Sequence, residues 1–303
     1  MSELPERYEE LVAEEGRIWS DNARRYTAQV PPDWRAMRRE YNMRVVYRQE
    51  VEDLLSRIRP GQRVLDLGCN KGWLSLELAR CGAEVEACDV AEGALEIART
   101  YYEQRRQEEE IPGSVRYFVA DVNTWEMPTA AYDWVLARGT LHHLVRPREV
   151  LLKIRQALKP EGTLWVSDPI DAPRANAFIA GVLLLVLPTQ LSYREKIKHL
   201  LRVRGQAVRR VQAAIETEGA SPFEGIGRPQ QPQDAVRELF EVVEYKEKAA
   251  FAGFLSAELK TPYWLGLGIM QVLWALDRLS IKLGLLGGLN YTLYARPKHA
   301  EDA

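Results

Sequence analysis

Cysteine is scarce in this chain. Its 303 residues hold three, Cys69, Cys81 and Cys88. An odd, small set with no metal-like spacing argues against a disulfide framework and a zinc site, so no metal is expected. A reducing, cytoplasmic setting is the natural expectation. A charge excess is also missing. The formal net charge of −2 gives no global attraction to nucleic acid, and no nucleic-acid partner is expected. The first residues, MSELPERYEELVAEEGRIW, are acidic and lack an apolar core, so no signal peptide is expected. Long hydrophobic runs are absent as well. Ala177 to Leu187 covers 11 residues, short of the roughly 20 that cross a bilayer. Tyr263 to Leu289 is longer but is broken by Asp277, Arg278 and Lys282. Both stretches are expected to lie on a membrane or inside the protein. There is no internal repeat and no low-complexity tract.

What is present is an alternation. Residues 1–59 read as helices that end at the breaker pair Pro60-Gly61. Short apolar runs follow at RVLDL (63–67), AEVEAC (83–88), VRYFVA (115–120), DWVLA (133–137) and TLWVS (163–167). Helical patterns separate them at 73–80, 91–107 and 147–158. Strands alternating with helices predict βαβ units and a mostly parallel sheet with helices on both faces. The alternation stops after Asp168-Pro169. Residues 170–235 read as a helical insertion. Two further strands are expected at 240–251 and 291–297, with a second helical insertion at 253–288 between them.

The strongest chemical signal is VLDLGCNKGWLSLELA (64–79). A strand runs into a turn containing Gly68, Cys69, Asn70 and Gly72, and a helix starts near Trp73. Such a turn lets a ligand approach the backbone beside the amides of a helix start. Asp66 precedes the turn and is suited to accept hydrogen bonds from a cationic ligand group. Asp89 ends the next strand, 21 residues after Gly68. An acid at the tip of that strand is placed to bind both hydroxyls of a ribose. The turn does not fit the G-x-G-x-x-G pattern of nicotinamide-binding domains.

These residues resemble motif I of class I S-adenosylmethionine-dependent methyltransferases, and Asp89 resembles their ribose-binding acid. FVADVNTW (118–125) is similar to the segment whose acid, here Asp121, meets the adenine amino group, followed by Val122. YDWVLARGTLHHL (132–144) is similar to the fourth-strand motif that borders methionine and acceptor, with Ala137 and Arg138 at its edge. LKPEGTLWVSDP (158–169) is similar to the fifth strand and its turn. The resemblance covers about residues 60–170 and is closest to small-molecule enzymes of the quinone-biosynthesis type. It implies an α/β, Rossmann-like, seven-stranded and mostly parallel sheet whose last strand is antiparallel. It also implies S-adenosyl-L-methionine as cofactor and S-adenosyl-L-homocysteine as product, held by Asp66, Gly68, Cys69, Asn70, Gly72, Asp89, Val90, Asp121, Val122, Ala137 and Arg138. Asn70 stands where the family often has glycine, and asparagine tolerates the left-handed conformation the turn needs.

Two histidines, His142 and His143, follow the fourth strand at the sheet edge where such folds bind ligands. One reading makes an imidazole the base that takes a proton from an acceptor hydroxyl. The other has the pair line the acceptor pocket. Asp168, on the same edge, either orients an acceptor group or turns the chain. Tyr26 and Trp19 lie in a segment that resembles the N-terminal cover over the cofactor, with Tyr26 as an acceptor-side candidate. Cys69 is expected to pack.

The insertions are expected to decide the acceptor. Arg194 to Arg210 carries seven Lys or Arg residues and one acid, Glu195. In the second insertion Leu265, Ile269, Val272, Leu276, Leu279, Leu283 and Leu286 recur at helical steps, with Gln271, Trp274, Arg278 and Lys282 on the other face, which predicts an amphipathic helix that either buries against a core or lies at a membrane surface. Together the insertions read as a lid with an apolar interior and a basic edge, over a small or lipid-like acceptor, with peripheral membrane contact in view. Oxygen is the first expectation for the accepting atom. Two other classes stay open: a non-catalytic cofactor-binding or membrane-associated partner subunit, and an enzyme that binds the same cofactor for other chemistry such as a cyclisation.

Overall fold

A computed structural model of the chain describes residues 7–170, 174–189, 191–196, 222–223 and 231–298. The strands are β1 (Arg63–Leu67), β2 (Glu84–Asp89), β3 (Ser114–Val119), β4 (Tyr132–Arg138), β5 (Leu158–Pro169), β6 (Phe240–Lys248) and β7 (Asn290–Pro297). They form one seven-stranded sheet in the order β3-β2-β1-β4-β5-β7-β6. The first five are parallel, and β7 runs antiparallel to both neighbours. The chain therefore reverses direction across the sheet between β1 and β4, and ligands of open α/β sheets lie at the carboxyl ends of strands at such a point.

The helices are α1 (Tyr8–Thr27), α2 (Trp34–Met37), α3 (Arg48–Arg57), α4 (Trp73–Arg80), α5 (Glu92–Glu108), α6 (Pro147–Ala157), α7 (Arg174–Val186), α8 (Gln231–Leu239), α9 (Ala252–Glu258) and α10 (Tyr263–Lys282). A π-helical turn, Asn42–Tyr47, leads into α3. Proline opens α6, where its fixed φ suits a first turn and its missing N–H costs nothing. The sheet is buried on both faces. One face packs Leu65, Val135 and Val166 against α6 and α8, through Leu151, Ile154 and Val236. The other packs Val64, Leu136 and Trp165 against α3 and α4, through Leu54 and Leu76.

Helix α1 crosses the ligand-binding edge at close range. A Cβ on Gly16 would lie 2.8 Å from the Val90 carbonyl, and one on Gly93 would lie 2.8 Å from the Ser20 Cβ. Two glycines, one on each partner, thus let the N-terminal helix settle on the β2–α5 junction. The Ser20 hydroxyl accepts from the Gly93 amide at 3.1 Å.

Of the two placements open for the apolar face of the second insertion, burial in a lid and exposure at a surface, the structure shows mainly exposure. Helix α10 buries Gly266, Met270, Leu273 and Asp277, while Leu265, Val272, Leu276, Leu279 and Leu283 are exposed. Five of the seven stripe residues thus face away from the protein, and only Ile269 and Leu286 pack partly against the neighbouring core. The reason is polar anchoring. Asp277 is fully buried and accepts from the amides of Ala250, Phe251 and Ala252 at 3.0, 2.8 and 2.8 Å, which satisfies the start of α9. Gly266 makes room for the Tyr41 hydroxyl, which would lie 2.2 Å from an added Cβ. A glycine and an acid define the packing face, and a hydrophobicity pattern counts neither. In the first insertion Ala177 and Ala180 are buried, but Phe178, Val182 and Val186 are exposed. Most of the basic run, including Lys198, Arg202 and Arg204, lies outside the described residues. No helix among the described residues is long and apolar enough to cross a membrane.

Candidate active site

The turn after β1 closes on the protein itself. Gly68 (φ 66°), Asn70 (φ 48°) and Gly72 (φ 71°) all take left-handed conformations. A Cβ on Gly68 would collide with the Thr140 hydroxyl at 2.4 Å, and one on Gly72 with the Tyr117 hydroxyl at 2.6 Å. Both glycines thus admit neighbouring side chains, a reason beyond ligand approach. Thr140 then donates to the Leu67 carbonyl at 2.9 Å, tying the end of β4 to the end of β1. Asn70 reaches its conformation with local help, since its side-chain oxygen accepts from the Lys71 amide at 2.9 Å. Cys69 is buried, and burial pushes its thiol well above the ordinary range.

Three carboxyl groups stand along this edge. Asp66 is buried and accepts from the Ser75 hydroxyl at 2.6 Å. Burial raises its pKa to about 7, against the lowering effect of that hydrogen bond. Asp89 accepts from the Asn70 amide at 2.8 Å and the Ala91 amide at 2.9 Å. One amide occupies each oxygen, and a carboxylate oxygen has a second lone pair for a ligand hydroxyl. Burial raises Asp89 too. Asp121 follows β3, with Val122 buried behind it, and accepts from the Tyr8 hydroxyl at 2.6 Å. Ala137 is buried at the end of β4, in register with Leu67. Beside it the Arg138 guanidinium lies over the rings of Tyr47 and Trp73.

The two histidines are brought together with separate acids. His142 Nδ1 is 3.0 Å from Asp168 Oδ1, and that carboxyl group is buried. His143 Nδ1 is 3.5 Å from Glu15 Oε1 on α1, and the imidazole rings sit 3.9 Å apart. Trp19 donates to the same Glu15 oxygen at 2.7 Å and turns its ring edgewise to His143. Burial, with the neighbouring His142, lowers His143 to about 3, so it is neutral at physiological pH. Asp168, at the end of β5, is thus in hydrogen-bond contact with His142. Tyr26 is not part of this group. It is 65 % exposed, about two helical turns beyond Trp19, with Lys71 over its ring. Tyr8, Glu15 and Thr140 were not singled out in the sequence. Only Thr140 carries a local signal, its place within ARGTLHHL.

A family model described as a methyltransferase domain matches residues 37–212. The chain belongs to the methyltransferase-domain family. A mitochondrial ubiquinone biosynthesis O-methyltransferase of Schizosaccharomyces pombe is 33% identical over 107 residues, which cover 35% of this chain and 38% of that protein. A ubiquinone biosynthesis O-methyltransferase of Xanthomonas campestris is 36% identical over 118 residues, covering 39% and 47%. The chain thus spans less than half the length of these relatives. Among solved structures, the [4+2]-cyclase SpnF aligns at 16% identity over 82% of this chain and 80% of its own, with a TM-score of 0.48. Phosphoethanolamine N-methyltransferase 2 of Haemonchus contortus, in complex with S-adenosyl-L-methionine, aligns at 16% identity over 82% and 53%, with a TM-score of 0.46.

The cofactor of this methyltransferase family is S-adenosyl-L-methionine, and the donor set fits it. That molecule carries an ammonium, a sulfonium and two ribose hydroxyls. Asp66 is the penultimate residue of β1, Asp89 ends the adjacent parallel strand, and Asp121 lies just beyond the next. Acids on one edge complement a cationic, hydroxyl-bearing ligand.

Proposed function

We propose that this protein catalyses methyl transfer from S-adenosyl-L-methionine to the oxygen of a small, lipid-like acceptor, with His142 as general base. The observation that carries the reading is the His142–Asp168 pair at 3.0 Å. A carboxylate that accepts from Nδ1–H fixes the ring and puts the lone pair on Nε2. The bound cofactor supplies an electrophilic methyl with a thioether leaving group. His142 takes the proton of the acceptor hydroxyl as the oxygen–carbon bond forms, and the Asp168 carboxylate balances the imidazolium. Asp66 and Asp89 hold the donor, with Asn70, Gly72, Val90, Asp121 and Val122 around it, and helix α1 excludes water through Trp19 and Glu15. Alignment and dryness are the main requirements of an in-line displacement.

The lipid-like character of the acceptor rests on two observations. The relatives described above are named for ubiquinone biosynthesis. Helices α7 and α10 also turn Phe178, Val182, Val186, Leu265, Val272, Leu276, Leu279 and Leu283 outward, with Arg278 and Lys282 exposed on α10. The exposed apolar stripe along α10 is taken as a contact surface, here read as peripheral contact with the membrane that holds the acceptor. The test is acceptor-dependent formation of S-adenosylhomocysteine with a panel of phenolic and quinol lipids. The reading expects turnover that falls by roughly 10²–10⁴-fold in His142→Gln. Undiminished turnover in that variant would remove the base.

A further inference from the structure

We propose that the cavity between the π-helical turn, α3, β6 and α10 is a ligand site for a small amphiphile with an anionic end. The cavity holds about 630 Å³, within the roughly 300–1,000 Å³ of small-molecule pockets. None of its lining residues belongs to the set assigned to the cofactor or to the histidine pair. Its floor is the buried ion pair of Lys248 and Glu50. Thr292 completes that floor, accepting from the Lys248 ammonium at 2.8 Å and donating to Glu50 at 2.6 Å. Ser167 donates to the same Glu50 at 3.3 Å. Ser167 and Asp168 are successive residues of β5 and point to opposite faces. The cavity and the His142–Asp168 pair thus lie on either side of one strand end.

The charges around the cavity select the sign of the ligand. Five carboxyl groups line it, and each is engaged. Glu50 holds Lys248, Glu52 holds Arg48, Asp53 holds Arg57, and Glu244 holds both Arg57 and Lys246. Glu247 accepts from the Gly288 amide at 2.9 Å and the Tyr245 hydroxyl at 3.3 Å. Two lining cations are left over. The Arg278 side chain, on α10, has no ion pair or hydrogen bond among the described residues. The Arg44 guanidinium, on the π-helical turn, meets only the Tyr263 hydroxyl at 3.3 Å. Two guanidinium forks without an acid, on the rim of one cavity, suit a phosphate or a carboxylate. The wall also carries Val45 and Trp274, which pack against the core of α7, α9 and α10. A π-helical turn is rare and often marks a functional site. Here it brings Arg44 and Val45 to the wall and sets the Tyr47 ring 5.0 Å from the Lys248 ammonium. An anion at the rim with an apolar body along Val45 and Trp274 defines an amphiphile. The exposed residues of the α10 stripe do not line the cavity, so this site is separate from the contact surface described above.

Calorimetry on the full chain tests this with one apolar body and three heads: octyl phosphate, octyltrimethylammonium and octyl glucoside, each as monomer. Wild type should prefer octyl phosphate to the other two by roughly tenfold or more. Arg44→Gln and Arg278→Gln should each weaken octyl phosphate by roughly 3- to 10-fold, and the double variant should lose the preference. Arg25→Gln, exposed on α1, should leave it unchanged, which separates the site from general charge attraction. Leu276→Gln with Leu283→Gln should leave it unchanged too, which separates the cavity from the exposed stripe. Equal affinity for the three heads in wild type would overturn the proposal. So would octyl phosphate affinity that is the same in wild type and the double arginine variant. Turnover then tells two sources of the ligand apart, with any acceptor that yields S-adenosylhomocysteine. Competition between octyl phosphate and the acceptor supports a site for the acceptor itself, and a change in kcat at saturating acceptor supports a site for an effector. Absence of turnover with every acceptor would overturn the methyl-transfer reading and leave the calorimetric result, and this site, standing.

Discussion

Asp168 and His142 come from the ends of different segments, 26 residues apart, and meet through one hydrogen bond of 3.0 Å at the carboxyl edge of the sheet. The acid is 2 % exposed and the imidazole 26 %. The buried partner thus orients the more accessible one. On the proposed reading Asp168 positions the imidazole, and its effect should pass through that ring. Asp168→Asn keeps the shape but frees the ring to adopt the other tautomer. Turnover should fall by about 10²-fold or more, while S-adenosylhomocysteine affinity holds. The pH–rate profile should shift with it, because the imidazolium loses its counter-charge. A profile identical to wild type would show that Asp168 is only structural.

On the proposed reading, in which Asp66 holds the ligand ammonium, cofactor binding should depend on pH. The Asp66 pKa of about 7 means that the ligand-free protein holds a proton there below neutrality. A ligand ammonium favours the carboxylate, so binding releases that proton. Affinity for S-adenosylhomocysteine should therefore fall as pH drops from 8 to about 5.5, by up to roughly tenfold per unit below 7. The linkage to folding has the opposite sign. Its folded pKa is raised above the ordinary 3.8, so without ligand this group makes the fold less stable as pH rises from 4 toward 7. Asp66→Asn should bind weakly with a flat pH profile. Titrations at four pH values decide it, and a wild-type profile without slope would contradict it.

Asp277 anchors the second insertion through three backbone amides. Asp277→Ala strands those donors in the interior. A loss of about 2–4 kcal/mol is expected from hydrogen bonds to a charged group left unmade. Leu276→Ala, one residue away and half-exposed, should cost far less, within about 0.5 kcal/mol. Denaturant unfolding of both variants checks the contrast, and equal losses would contradict the packing described here.

The turn after β1 and the sheet around it could be read from the sequence because their signals are local. Apolar runs such as RVLDL and DWVLA are continuous, since both faces are covered, and Gly68, Asn70 and Gly72 mark left-handed backbone directly. Helix α10 was legible as an amphipathic helix, but its buried face was not, because that face consists of Gly266, Met270, Leu273 and Asp277, of which two are invisible to hydrophobic periodicity. The site was half legible. His142 and Asp168 each stood out, but their pairing depends on where β4 and β5 end in space. Tyr8 meets Asp121 across 113 positions, and nothing in YEELVAEEGRIW encodes such a partner.

The exposed stripe on α10 leads to a test of membrane contact. Flotation with anionic vesicles at low salt should carry the protein to the lipid fraction. High salt should release the part held by charge, while the apolar part persists. Replacing Leu276 and Leu283 with Glu together should abolish flotation and leave the fold intact, because both face outward. Failure of wild type to float at low salt would count against the surface reading.

The most direct test of the account is the affinity of S-adenosylhomocysteine for the wild-type chain and for Asp89→Ala, measured by calorimetry. Asp89 ends β2, its two oxygens accepting from the amides of Asn70 in the turn and Ala91 at the start of α5, and the proposed reading gives their remaining lone pairs to the ribose hydroxyls. The account expects clear binding to wild type and a loss of about 1.5–3 kcal/mol in the variant, with circular dichroism showing it folded. Equal affinity in a folded Asp89→Ala, or no binding to wild type, would contradict it.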